Sequence, residues 1–115
     1  MWVYRSNVAL DKYIFTLCKY TRYTWIDSKN RRNLRLHGIA FEDAVRIFDG
    51  PTLEQVDDRF DYGERRVYAI GLVNGLEITV IYADREQGER RIISAWRSEP
   101  HERRAYWRSI EDLGE

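Results

Sequence analysis

Cysteine, histidine, proline and glycine are scarce in this sequence, which has one, two, two and seven of them among its 115 residues. The lone Cys18 excludes an internal disulfide, and the few thiols and imidazoles exclude a multi-thiolate zinc site. No apolar run approaches the ~20 residues that a transmembrane helix requires. The glycine-rich loops that bind nucleotide phosphates are absent as well. These absences predict a small cytoplasmic domain with no cofactor and no metal site.

The residues that are abundant favour one globular domain. Hydrophobic residues make up 43% of the chain and aromatic residues 14%, which argues against disorder although 33% are charged. The net charge of +0 excludes a strongly basic nucleic-acid module as a description of the whole chain. Locally, residues 41–64 hold eight acids and two bases, net −6, and residues 85–108 hold seven arginines and four glutamates, net +3. These runs fit either solvated surface or a basic face for phosphates with an acidic rim for a partner.

Two helices are predicted before the main sheet. Asp27 or Ser28 is expected to cap a helix over Lys29–Leu36, and Gly38 stands where a left-handed residue commonly ends a helix. A second helix is predicted from apolar residues at i, i+3, i+4 and i+7, ended by a Gly-Pro pair at 50–51. The apolar residues are Phe41, Ala44, Val45 and Phe48.

The strongest local signal is a β-hairpin. The β-prone runs Val67–Val73 and Leu76–Tyr82 are separated by Asn74-Gly75, the pair that favours a type I′ turn. The resulting register predicts one apolar face and one mixed face, as expected when helices cover one side of an antiparallel sheet.

Further strands are predicted over Leu53–Val56 and Arg91–Trp96, followed by a last helix capped by Ser98. The predicted fold class is α+β, with two N-terminal helices, an antiparallel sheet of three to four strands and a C-terminal helix. Residues 1–22 are predicted to form an N-terminal extension of undefined structure, followed by a single domain over residues 23–115.

Three sequence blocks follow one another along the chain. Residues 33–44 read N-L-R-L-H-G-I-A-F-E-D-A, residues 62–71 read Y-G-E-R-R-V-Y-A-I-G, and residues 91–106 read R-I-I-S-A-W-R-S-E-P-H-E-R-R-A-Y. In this order they resemble N-x-x-K-H-G-[IV]-x-F-E-[ED]-A, Y-G-E-x-R…A-I-G and R-I-I-S-A-R…E-R-x-x-Y of the BrnT-type toxin family. Leu36 and Trp96 depart from the pattern, because family members carry lysine and arginine at these positions.

The resemblance implies a RelE-like fold and an endoribonuclease toxin of a type II toxin–antitoxin system, which cleaves RNA without a metal, inhibits translation and arrests growth. It implies single-stranded or ribosome-bound messenger RNA as the substrate. The implied partner is a cognate, BrnA-like antitoxin with a DNA-binding domain, which neutralises the toxin and provides its only contact with operator DNA. No membrane partner is expected, and a homodimer within the toxin–antitoxin complex is compatible with the resemblance.

Metal-independent RNA cleavage requires a base, an acid and cations on the phosphate, and arginine suits the last role because its donors match phosphate oxygens. The candidate catalytic residues are His37, Glu64, Arg66, Arg91, Arg97 and Glu102. The three arginines are the expected phosphate ligands, Glu64 or His37 the base or acid, and Glu102 the residue that orients Arg97 or Arg91. Arg66 and Arg91 are expected to meet at one end of the sheet, across from Tyr82.

Each of these candidates also has a structural interpretation. The two arginines are equally consistent with ion pairs to Asp84 or Glu89. For His37 the structural interpretation is favoured, because a cap at a helix C-terminus needs no substrate. Candidate RNA-binding residues are Tyr82, Trp96, Arg103 and Tyr106. Aromatic residues so close to a sheet edge more often complete the core.

Two functions of other classes stay open. The arginine replaced by Trp96 favours a non-catalytic protein that keeps the fold and serves as a partner-binding or operator-regulating module. The basic and aromatic residues favour a plain RNA-binding domain, which would retard RNA without cutting it.

Overall fold

The computed structural model of the chain describes residues 2–5 and 22–113. Within these ranges, six strands and three α-helices follow one another: β1 (Val3–Arg5), β2 (Arg22–Thr24), α1 (Asp27–His37), α2 (Phe41–Ala44), β3 (Thr52–Asp57), β4 (Arg66–Val73), β5 (Leu76–Asp84), β6 (Glu89–Arg97) and α3 (Pro100–Leu113). Short 3-10 helices span Val45–Asp49 and Glu86–Gly88. Cys18 and most of the predicted N-terminal extension lie outside the described residues.

The six described strands form one sheet in the order β1-β3-β4-β5-β6-β2. Neighbouring strands are antiparallel, except that β2 runs parallel to β6. The predicted α+β class, with two early helices and a C-terminal helix, is confirmed. The predicted number of strands is too low, because β1 and β2 are three residues long and too short to show an alternating pattern.

β4 and β5 form the predicted hairpin in the predicted register, with Val73 opposite Leu76. Asn74 and Gly75 have φ angles of 51° and 79°. Both values lie in the left-handed region that a type I′ turn requires. The turn chemistry of two residues therefore sets which side chains share a face of the sheet.

One face of the sheet, which we call face A, is covered by α2 and the 3-10 helix that follows it. Its buried core consists of Phe41, Ala44, Ile47, Ala69, Ile78, Val80, Tyr82, Ile92 and Ala95. Phe48 is only partly buried, because a 3-10 helix has three residues per turn and turns Ile47 into the core instead. Gly71 permits the close approach, since a Cβ there would lie 2.7 Å from the Cβ of Ile47.

The opposite face, face B, carries Tyr68, Ile70, Thr79 and Ile81 of the central hairpin. α3 packs on part of this face, where the fully buried Tyr106 contacts Leu53 and Ile70. The prediction that helices cover only one face is therefore wrong. The apolar residues of α3 supply a second, smaller core for the strands at this side of the sheet.

The start of α1 differs from the prediction, and its end agrees with it. The N-cap is Ile26, which is extended and makes no side-chain cap bond, so that neither Asp27 nor Ser28 caps the helix. The chain turns into the helix directly after β2, which places Asp27 in the first turn, where its charge favours the helix dipole. Gly38 has a φ of 72°, and its N–H donates to the carbonyl of Leu34 at 2.9 Å.

α3 begins one residue later than the predicted Ser98 cap implies. The Ser98 hydroxyl lies 2.7 Å from that of Thr79, and both side chains are buried. Glu99 is the residue before the helix, and its carbonyl accepts the Arg103 N–H at 2.9 Å. Ser98 does not cap the helix because its hydroxyl is bonded to the neighbouring strand.

Asn33 of α1 attaches this helix to the edge of β6. β2 pairs with β6 only as far as Arg91. Further along β6, the Asn33 side chain accepts the Ala95 N–H at 3.1 Å and donates to the Ala95 carbonyl at 2.8 Å. The same amide donates to the Ile39 carbonyl at 2.9 Å. One side chain thus pairs the edge backbone that β2 leaves open.

Candidate active site

Glu64, Arg66 and Arg91 form one contact group, which we call the arginine–glutamate cluster. Arg91 Nη2 lies 2.6 and 2.9 Å from the two carboxylate oxygens of Glu64, and Arg66 Nε lies 3.2 Å from Oε2. The side chains of Glu64, Arg66 and Arg91 are 26%, 21% and 25% exposed. Two guanidinium groups and one carboxylate leave a net charge of +1, which suits a phosphodiester.

Strand alternation places both arginines on face B. Val67 and Ile92 pack in the face A core, so the neighbouring Arg66 and Arg91 point the other way. Arg91 pairs with Ala83 instead of the predicted Tyr82. A bulge inserts one extra residue into β6 opposite the Ile81/Tyr82 step, and without it the register that pairs Ile81 with Ser94 would place Arg91 opposite Asp84.

The two acids that the sequence suggests as alternative partners of Arg66 and Arg91 bond to other residues. Asp84 accepts two hydrogen bonds from Arg90, at 2.7 and 2.9 Å. Glu89 accepts from Arg22 at 3.3 Å and from Thr24 at 2.8 Å. Neither acid contacts the cluster, which is therefore built around Glu64.

Asp57 holds the loop between β3 and β4 that carries Glu64. Its carboxylate accepts the Nε, Nη2 and backbone N–H of Arg59 at 2.8, 3.1 and 3.3 Å, and the Tyr62 hydroxyl at 3.1 Å. The Arg66 guanidinium in turn lies 4.1 Å above the Tyr62 ring. Burial acts to raise the pKa of Asp57, but the hydrogen bonds from Arg59 and Tyr62 outweigh it and lower that pKa below its ordinary value.

The Asp57→Asn variant tests this account through the pH dependence of stability. Because the folded-state pKa of Asp57 is lowered, its ionised form stabilises the fold above the ordinary value of 3.8, and this contribution is lost as the pH falls through the folded-state pKa. Urea unfolding of the parent and the variant at several pH values measures the difference in their free energy of unfolding. This difference is expected to have its largest value at pH 7 and to decrease below about pH 4.

The adjacent, exposed Asp58 provides a matched control for this measurement. Asp58→Asn is expected to change the free energy of unfolding at pH 7 by less than about 0.5 kcal/mol. A difference between the parent and Asp57→Asn that stays constant from pH 7 to acid pH would contradict the account.

Glu102, expected to orient an arginine, has other partners. It accepts the Trp96 Nε1–H at 3.1 Å and the Glu99 backbone N–H at 2.7 Å. The Trp96 indole therefore makes the bond to Glu102 that was expected of Arg97 or Arg91. The exposed His37 ring is centred 6.3 Å from the Trp96 ring.

Arg97 and Arg103 lie apart from the cluster. Arg97 is at the opposite end of β6 from Arg91 and donates to Glu77 at 3.2 Å. Arg103 Nη1 donates to the Ser98 carbonyl at 2.6 Å. Arg97 is opposite Ile78 of face A, and its guanidinium reaches Glu77, which also accepts the Trp107 Nε1–H at 2.7 Å, and not the arginine–glutamate cluster.

Tyr82 and Tyr106 are core residues in this structure. Tyr82 is 3% exposed and donates to Glu54 at 2.5 Å, and burial together with the Glu54 carboxylate raises the pKa of Tyr82 far above its usual value. Tyr106 is fully buried and donates to the Pro51 carbonyl at 3.0 Å. No base can stack on rings that neighbouring side chains already cover, and the proposed site leaves both residues out. Trp96 remains partly exposed on face B.

Two members of this region were not predicted from the sequence. Asp57 counts only as one acid of the acidic run, and Tyr62 only as a letter of the second block. Their contact depends on the path of a loop with a left-handed Gly63, φ 71°, so no local periodicity signals it.

Among residues 2–5 and 22–113, no three His, Cys, Asp or Glu side chains are grouped so as to hold a metal ion. None of the described helices has the length and apolar character needed to cross a membrane.

Comparison with known proteins adds the family context. Residues 25–102 match the family model described as the ribonuclease toxin BrnT of a type II toxin–antitoxin system. The 1.1 Å crystal structure of the Brucella abortus ribonuclease toxin BrnT is similar, with a TM-score of 0.54 and 25% identity, over 69% of this chain and 97% of that chain. No match is found among curated proteins.

Proposed function

Because the chain belongs to the BrnT family of ribonuclease toxins of type II toxin–antitoxin systems, we propose that it is a metal-independent endoribonuclease and that the arginine–glutamate cluster is its active site. The observation that carries this proposal is the Glu64 carboxylate shared by two partly exposed arginines, at 2.6 Å from Arg91 and 3.2 Å from Arg66. Each guanidinium carries several donors of fixed geometry, so that it can bond to the carboxylate and to a phosphate at the same time.

The contacts with Glu64 leave donors for RNA. Among the described hydrogen bonds, Arg91 uses Nη2 and Arg66 uses Nε. Nη1 of Arg91 and both Nη groups of Arg66 are therefore the proposed ligands of the phosphate oxygens. Their positive charge stabilises the extra negative charge of the pentacovalent transition state.

The proposed reaction is transesterification within the RNA. Glu64 takes the proton of the 2′-hydroxyl, O2′ forms a bond to phosphorus, and the bond from phosphorus to O5′ breaks. O5′ gains a proton, and the products are a 2′,3′-cyclic phosphate and a 5′-hydroxyl. His37, whose exposed ring is centred 6.3 Å from the Trp96 ring, is the proposed acid that donates this proton.

The proposed cellular role follows from the family. A type II toxin has an antitoxin partner, and we assign this chain a cognate, BrnA-like antitoxin with a DNA-binding domain. Cleavage of single-stranded or ribosome-bound messenger RNA would stop translation and growth in the cytoplasm. The division into an extension over residues 1–22 and a toxin domain over residues 23–115 also stays a proposal.

One observation favours the alternative of a non-catalytic binding protein. Trp96 stands in place of the family arginine and is bonded to Glu102 at 3.1 Å. If phosphate binding depends on an arginine at that position, the fold would persist without catalysis.

RNA cleavage by the purified chain in the presence of EDTA separates these functions. We expect the parent to cut single-stranded RNA or ribosome-bound messenger RNA and to leave 2′,3′-cyclic phosphate ends. Arg46→Ala is the control for variants of the arginine–glutamate cluster. This exposed arginine lies in the 3-10 helix on face A and pairs with Asn74. Intact RNA with and without ribosomes, from folded protein that does not arrest growth, would instead support the binding protein.

A further inference from the structure

The loop between β3 and β4 exposes a large aromatic ring beside the arginine–glutamate cluster. Phe60 is 69% exposed, more than any other large hydrophobic side chain among the described residues. Its ring is centred 5.8 Å from that of Tyr62, and the Tyr62 ring lies 4.1 Å from the Arg66 guanidinium. A single aromatic ring therefore separates the exposed Phe60 from a proposed phosphate ligand.

The loop that presents Phe60 is held on both sides. Asp57 binds the side chain and backbone of Arg59, before Phe60, and the hydroxyl of Tyr62, after it. Asp61 accepts the N–H of Gly63 at 3.1 Å. An aromatic side chain on a restrained backbone loses little conformational entropy when it binds a ligand.

The charge of the loop indicates which part of a nucleotide contacts it. Asp58 and Asp61 lie near Phe60 and are exposed, whereas the adjacent Arg59 is paired with Asp57, so the loop has a net negative charge that repels phosphates and leaves them to Arg66 and Arg91. Bases are uncharged and have a flat face that stacks on an aromatic ring. A nucleotide next to the bound phosphate would therefore present its base, not its backbone, to Phe60.

We propose that Phe60 is a base-stacking residue, which binds an unpaired RNA base next to the phosphate held by the arginine–glutamate cluster. This inference rests on the proposed ribonuclease function and adds a substrate-binding residue to it. The required substrate is single-stranded, because a paired base has no face available for stacking on a protein ring.

The test uses a single-stranded 2′-O-methyl oligonucleotide that contains 2-aminopurine. This probe cannot be cleaved because the 2′-hydroxyl is blocked, and stacking quenches the fluorescence of the base. Phe60→Ala is expected to weaken binding, measured by anisotropy, by roughly tenfold and to remove the quenching. Phe60→Trp is expected to retain both.

Two further variants distinguish stacking from simple apolar contact. Phe60→Leu keeps an apolar side chain without a ring and is expected to behave like Phe60→Ala. Leu76→Ala is the control, because this exposed residue lies at the hairpin turn, at the other end of β4 and β5 from Arg66. Circular dichroism of each variant checks that the fold is unchanged.

The outcomes separate this inference from the function on which it rests. If the parent cuts RNA and Phe60→Ala or Phe60→Leu binds and quenches the probe as the parent does, the stacking role is overturned and the ribonuclease function stands. That result would leave Phe60 as a contact for a protein partner. If the parent neither binds nor cuts RNA, both proposals are overturned.

Discussion

The Arg91→Ala variant is expected to cleave RNA roughly 100 to 1,000 times more slowly than the parent, because removing one donor to a charged transition state commonly costs this factor. Arg91 makes the shortest contact of the cluster, 2.6 Å to Glu64, and is the arginine that bonds to both carboxylate oxygens. Its loss would remove a proposed phosphate ligand and leave Glu64 held by Arg66 alone. The measurement is the single-turnover rate of RNA cleavage in EDTA.

Arg91→Lys separates charge from geometry. Lysine keeps the positive charge but lacks the planar fork that donates to a carboxylate and a phosphate at once. We expect a rate between those of the parent and Arg91→Ala.

Arg66→Ala is expected to relieve growth arrest while the fold is kept, because Arg66 is the second proposed phosphate ligand.

The control for both arginines is Arg46→Ala, which removes an exposed arginine on face A. Each variant is first shown to be folded by thermal unfolding. Cleavage and toxicity of Arg91→Ala and Arg66→Ala equal to those of the parent would place the active site elsewhere.

Asn33→Ala is expected to lower the free energy of unfolding by roughly 3 kcal/mol, because it leaves buried backbone groups without partners. The Asn33 side chain is bonded to the N–H and carbonyl of Ala95 and to the carbonyl of Ile39, and the residue is 6% exposed. Alanine cannot replace any of these bonds. The loss is large against the ~5–15 kcal/mol that stabilises a typical domain.

Urea unfolding at neutral pH measures this loss. Arg32→Ala, on the exposed side of the same helix, is the matched control and is expected to change the free energy of unfolding by less than about 0.5 kcal/mol. A loss below 1 kcal/mol in Asn33→Ala, on the order of one ordinary hydrogen bond, would mean that water replaces the amide at the edge of β6.

The elements predicted well are those whose signals are local. The register of β4 and β5 depends on Asn74-Gly75, whose preference for positive φ belongs to the two residues themselves. The end of α1 depends in the same way on Gly38. Strands of three residues carry no such signal, so the sequence does not reveal β1 or β2.

The site shows the same division. Arg66, Arg91 and Glu64 stand in two of the blocks that resemble the family, and their side-chain chemistry makes the arginines candidates for phosphate binding and Glu64 a candidate base. Arg97 has the same chemistry but lies at the far end of β6 from Arg91, where it donates to Glu77. Which arginines lie together therefore depends on their positions along the strands. The bulge in β6 opposite the Ile81/Tyr82 step shifts the pairing of β5 with β6 by one residue.

By itself, the sequence determined the fold class, the hairpin register and the set of residues with suitable chemistry, because turn preference, periodicity and side-chain chemistry act over a few neighbouring residues. Only the tertiary structure decided that α3 covers face B, that Glu102 binds Trp96, and that Asp57 supports the loop of Phe60. The contacts of Asn33 with Ala95, and of Glu64 with Arg91, join residues that are 62 and 27 positions apart. Such pairs are selected by how the packed elements meet, a property of the whole chain that no short stretch of it contains.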